Sequence, residues 1–109
     1  MSYDAALAAR VQKALGGKSG IAERKMFGGL CYLLHGNMAA GIVGDSLMVR
    51  VGPDAYEKTL ARPHARPMDF TGRPLKGMVY VGPGGCATAA ALSKWLARGL
   101  TFAASLPKK

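Results

Sequence analysis

The side chains best suited to hold a metal or attack a substrate are few in this sequence: Cys31, Cys86, His35 and His64. Cys31 and His35 are spaced like two ligands of one metal ion, and His64 and Cys86 would have to complete a set of four. Structural zinc sites are usually built from close pairs, and the second pair here is scattered. Cys31 is therefore read as packed in a strand and His35 as part of an exposed turn. Nucleophilic catalysis would need Cys31, Cys86 or a serine beside a histidine and an orienting acid. Neither histidine lies in such a motif, and His64 stands between Pro63 and Ala65 in a basic loop. The six acids fall mostly at turns and helix starts. The sequence reads as a non-enzyme, without metal or cofactor.

Two glycine-rich stretches invite a phosphate reading. Gly17-Lys18-Ser19 looks like the end of a phosphate-binding loop. That motif needs a glycine where Gln12 stands, and it must follow a strand rather than a helix. A helix end is the better account. Gly82-Pro83-Gly84-Gly85 could bring backbone N–H groups to an anion at the start of the last helix, but a tight strand-to-helix connection is the favoured reading. Phe27, Tyr32, Phe70, Tyr80 and Trp95 could line a ligand pocket. Their places on strands and an amphipathic helix favour core packing.

Charge says more. Fifteen Lys and Arg against six Asp and Glu give a net charge of +9 over 109 residues, with a pI near 10.0. Such a balance favours encounters with nucleic acid, acidic membranes or acidic proteins, and it also serves solubility. The cations are spread along the chain. They are densest over residues 62–76, where Arg62, Arg66, Arg73 and Lys76 face only Asp69. A second basic pair, Arg24 and Lys25, leads into Met26-Phe27-Gly28-Gly29. These six cations are the candidate contacts to nucleic acid or to a partner protein. Neither a basic helix nor an alternation of basic and aromatic residues is present.

The elements that must carry them follow from periodicity and turn residues. Leu7, Val11 and Leu15 recur at helical spacing, so a first helix is predicted over residues 4–15, ended by Gly16-Gly17. Strands are predicted over 21–26, 30–34, 38–43 and 46–51, with His35-Gly36-Asn37 and Gly44-Asp45 as turns. Pro53 and Asp54 suit the first turn of a helix over 53–60. A proline-punctuated stretch follows, in which residues 68–70 could form a short edge strand and 78–81 a stronger one. The last helix is predicted from about residue 86 to 106, with Leu92, Trp95, Leu96, Ala103 and Leu106 on one face. Gly99 interrupts it at a cost of roughly 1 kcal/mol relative to Ala, and marks close packing or a bend. The order argues for an α+β fold, one antiparallel sheet with helices packed mainly on one face.

At this length the chain reads as one domain, residues 1–109, able to bury a core without staples. No apolar run reaches the roughly 18 residues needed to span a bilayer, and the N-terminus lacks the pattern of a secretory signal. A cytoplasmic location, free thiols and no membrane contact are the expectations. A homodimer built on the exposed edge of the sheet or on a helix is a further expectation.

Taken together, Lys25-Met26-Phe27-Gly28-Gly29, Gly36-Asn37-Met38, Leu47-Met48-Val49-Arg50-Val51 and Arg66-Pro67-Met68-Asp69-Phe70-Thr71-Gly72-Arg73-Pro74 resemble the N-terminal domain of the TfoX/Sxy competence-regulator family. Lys76-Gly77 and Val79-Tyr80-Val81 continue the likeness, which runs from the first helix to about Leu106. The resemblance implies an antiparallel sheet in a layout similar to secretion-chaperone-like domains. It implies no catalytic set. It implies a co-activator that works with a DNA-bound partner similar to the cyclic-AMP receptor protein at DNA-uptake genes. Two departures stand out. Full-length regulators carry a second, C-terminal domain, which this sequence does not contain, and Met78 stands where the family often has an aromatic.

Overall fold

Asp4 starts the first helix. In the computed structural model, which describes residues 3–16, 18–26, 29–67 and 77–108, its carboxylate accepts from the Ala6 and Leu7 amides at 2.8 and 3.2 Å. Such a cap contributes about 1 kcal/mol. Helix α1 (Ala5–Leu15) buries Leu7, Ala8, Val11 and Leu15 along one stripe. It ends at Gly16, whose φ of −59° is not left-handed.

A meander follows: β1 (Ile21–Met26), β2 (Gly29–Leu34), β3 (Asn37–Val43) and β4 (Ser46–Arg50), each antiparallel to the next. His35 and Gly36, with φ of 51° and 85°, make the β2–β3 turn between them. Two successive left-handed residues match the twist of the flanking strands. Asn37 therefore belongs to β3 rather than to the turn. It is buried, and its side-chain amide donates to the Pro107 carbonyl at 2.8 Å, holding down the end of the chain.

Beyond Arg50 the path changes. The Val51 and Gly52 amides both donate to the Gly77 carbonyl, at 2.8 and 3.1 Å. Pro53 to Ala55 form a turn, so α2 (Tyr56–Leu60) is shorter than the predicted 53–60. Its Ala55 start offers no side-chain cap. Strand β5 (Ala65–Pro67) comes next, then β6 (Met78–Val81). The sheet order is β1-β2-β3-β4-β6-β5, so β6 pairs with β4 and leaves β5 at the edge. Pro67, which has no N–H to donate, is tolerated there. The short edge strand predicted over 68–70 lies outside the described residues.

A 3-10 turn (Pro83–Cys86) leads to α3 (Ala89–Ala104), capped by the Thr88 hydroxyl, which accepts from the Ala91 amide at 3.1 Å. The Arg10 guanidinium donates to the Cys86 carbonyl at 2.7 Å and ties α1 to this turn. The fold is α+β, as the element order implied. Val11 of α1 and Leu92, Trp95 and Leu96 of α3 share one buried cluster with Leu30, Ile42, Leu47, Val49, Val79 and Val81 of the sheet. Cys31, Leu33 and Met48 form a smaller buried cluster on the other face. Gly99 proves to be a packing glycine. A Cβ there would fall against the Ala39 carbonyl of β3.

Candidate anion-binding groove

The pleat of the sheet decides where the sequence-predicted cations point. Arg24 pairs with Cys31 and Lys25 with Leu30. Neighbours on a strand point to opposite faces, so Lys25 lies on the helix-covered side and Arg24 on the other. One register row crosses all six strands: Arg24, Cys31, Gly41, Met48, Tyr80, Arg66. Arg24 and Arg66 thus share a face but sit at opposite edges, about 24 Å apart at the usual strand spacing. The Arg66 guanidinium lies over the Tyr80 ring at 4.8 Å and donates to the Ser46 hydroxyl at 3.0 Å. Arg62 is elsewhere, after α2. Arg73 and Lys76 lie outside the described residues. The four described cations do not form one patch.

Arg62 instead meets cations on α3. The connection from α2 to β5 is pinned by the Arg62 amide, which donates to the Thr59 carbonyl at 3.0 Å, and by the His64 carbonyl, which accepts from the Gly82 amide at 3.0 Å. His64 has a φ of 68°, an uncommon value for a residue with a side chain. Its ring rests on Gly84, where an added Cβ would come within 2.7 Å of it. Across from this loop stand Lys94, Trp95 and Arg98 of α3. An open cavity of about 300 Å³ is lined by Arg62, His64, Gly84, Gly85, Lys94, Trp95 and Arg98 with Pro63 and Ala91. A second cavity of about 530 Å³ shares Lys94 and Arg98 and runs on between α2 and α3, lined by Val51, Ala55, Thr59, Ala97, Thr101, Phe102 and Ser105. Among the described residues, no carboxylate lines either cavity. Arg98 lies over the Trp95 ring at 5.3 Å. Burial first, and the nearby Arg62 charge second, push its guanidinium below its ordinary range.

Residues 13–103 match the sequence model of the TfoX N-terminal domain. The chain belongs to this family. The matched span contains every described strand and the groove residues from Val51 to Phe102. No curated protein and no solved structure matches the chain.

In this TfoX N-terminal domain the reactive residue types are held apart. Among the described residues, no three His, Cys, Asp or Glu side chains gather closely enough to hold a metal ion. Cys31 and Cys86 are free and buried, and burial pushes both thiols up. The Tyr32 hydroxyl is buried beside Glu23 without a well-formed hydrogen bond, and burial, then Glu23, push it up as well. Also among the described residues, no helix is long and apolar enough to cross a membrane.

Sequence reasoning missed Lys94 and Arg98; His64 is exposed, as its place in a basic loop suggested, and its ring also lines the groove. A signal existed. Lys94 and Arg98 are four apart on one helix, and like charges at that spacing repel unless something offsets them.

Proposed function

We propose that this TfoX N-terminal domain is a cytoplasmic, non-enzymatic regulatory module that works by holding an anionic partner. The observation that carries this reading is the groove beside α3, where Arg62, His64, Lys94 and Arg98 converge with no acid among the lining residues. Uncompensated cations that converge on one groove attract and orient an anionic group. The family resemblance names the partner class: a DNA-bound activator similar to the cyclic-AMP receptor protein, at the promoters of DNA-uptake genes. Contact with DNA phosphates would draw on the same groove and on Arg66, with Arg24, Lys25, Arg73 and Lys76 as further candidates. Assembly through the free β1 edge is the weaker reading. That edge carries Glu23, Arg24 and Lys25 in succession, all exposed, and charged edge residues work against strand pairing.

Fluorescence anisotropy tests the reading, with a labelled promoter duplex alone and with the same duplex carrying a receptor-type activator. Binding is expected at low salt and should weaken linearly with the logarithm of salt concentration. Arg62→Ala should weaken it and reduce that slope by about 1 if its guanidinium meets a phosphate. Failure to bind either target at low salt would end the proposal.

A further inference from the structure

We propose that the groove is a site for a small organic anion with an apolar body. Arg62, Lys94 and Arg98 take the carboxylate, sulfonate or phosphate, and the larger cavity takes one or two rings or a short acyl chain. This rests on the anion-binding reading for its charged half only.

Three features carry it. The first is dimension: the cavities, about 300 and 530 Å³, meet at Lys94 and Arg98 and fall in the size range of small-molecule sites. The second is charge. Arg62 and Arg98 bear on each other as like charges, and Arg98 is partly withdrawn from water. A bound anion offsets both penalties. The guanidinium also presents paired N–H donors that suit a planar carboxylate or a phosphate.

The third feature is the apolar end. Two of the three hydroxyls that line it are already turned inward to the backbone. Thr59 donates to the Ala55 carbonyl at 2.7 Å, and Ser105 to the Phe102 carbonyl at 2.6 Å. Val51, Ala55, Ala97 and Phe102 supply the apolar contact surface. The Phe102 ring is packed against Gly52 and Arg50. An added Cβ at Gly52 would come within 2.5 Å of it, and Arg50 lies over it at 5.2 Å. The apolar cavity is thus built before any ligand arrives, with its cations at one end.

The test is calorimetric titration with 1-naphthyl phosphate, 1-naphthol and inorganic phosphate. Naphthyl phosphate is expected to bind at least about ten-fold more tightly than either fragment, because the two halves of the site act together. Arg62→Ala, at an exposed position, should erase the advantage over naphthol, and Arg98→Ala should do so more completely. Ala55→Trp, which fills the larger cavity, should erase the advantage over phosphate. Circular dichroism checks that each variant folds. Naphthyl phosphate binding no tighter than phosphate, or binding unmoved by both Arg62→Ala and Ala55→Trp, overturns the inference. Failure with naphthyl phosphate in a protein that still binds duplex DNA overturns it while leaving the anion-binding reading intact. Tight naphthyl phosphate binding without DNA or activator binding supports it and removes the macromolecular reading instead.

Discussion

Replacing Gly99 by Ala sets two effects against each other. In an exposed helix the change would stabilise by about 1 kcal/mol, because Ala loses less backbone freedom. Here the new Cβ would lie 2.9 Å from the Ala39 carbonyl carbon, closer still to its oxygen, and 3.4 Å from a Val49 methyl. Ala39 is the extra residue of a bulge in β3, held between Met38 and Ala40, which both pair with β2, so its backbone has little room to step aside. Ordinary carbon–carbon contact is about 3.5–4.0 Å, which requires α3 to retreat from the sheet by about 0.6 Å or more. That retreat loosens Leu92, Trp95, Leu96 and Ala103, all buried on the same helix. Overpacking costs about 1–3 kcal/mol, and so close an approach to a backbone carbonyl falls in the upper part of that range, about 2–3 kcal/mol. Set against the propensity gain, the net expectation is a loss of about 1–2 kcal/mol, or about 5–10 °C in Tm for a domain of this size. Urea denaturation and scanning calorimetry read both quantities. Gly82→Ala is the control. Gly82 has a φ of −67° and open space around its Cβ position, so that change should be neutral or stabilise by up to about 1 kcal/mol. A Gly99→Ala variant as stable as the parent, or a Gly82→Ala variant that falls equally far, would refute the reasoning.

Burial raises the thiols of Cys31 and Cys86 from 9.0 and the Tyr32 phenol from 10.0. The unfolded chain then loses these protons first, so stability is full below about pH 9 and falls as pH rises above it. Tm measured from pH 7 to 10.5 should show that decline, with a shallower fall above pH 10 in Tyr32→Phe; a flat profile contradicts it. Arg10→Ala removes the charged donor to the Cys86 carbonyl and should cost about 1–2 kcal/mol in denaturant titrations, with Arg10→Lys restoring part of it. Asn37→Ala should cost about 1 kcal/mol and free the chain end, seen as faster amide exchange at Leu106 and Lys108. Unchanged exchange there would mean that the Asn37–Pro107 bond does not hold the tail.

The meander was legible because the intervals between its strands are two residues long and each carries a glycine beside apolar runs. Asp4 and Leu7, Val11 and Leu15 announced α1 in the same way. The place of β6 was not legible. Nothing in Met78–Val81 says that it pairs with β4 rather than extending the sheet beyond β5, since both neighbours accept a short β-branched strand. Helix α2 was drawn too long because Pro53 and Asp54 are good helix starters and equally good turn residues. The opposed faces of Arg24 and Lys25 follow from strand period alone. The groove was hidden for a different reason: its cations come from the loop after α2 and from α3, and only tertiary packing brings them together.

The order of strands also implies an order of events. Every pairing among β1 to β4 closes an interval of two residues, 27–28, 35–36 and 44–45. The β4–β6 pairing closes an interval spanning 51–77. Loop entropy makes that closure about 2 kcal/mol dearer than a hairpin. The chain can assemble two-thirds of its sheet from nearest neighbours and must then search for the last join. That seam between Leu47–Arg50 and Met78–Val81 divides the molecule into an early half and a late half, and the groove, with Arg62 and α3, is wholly a product of the late one.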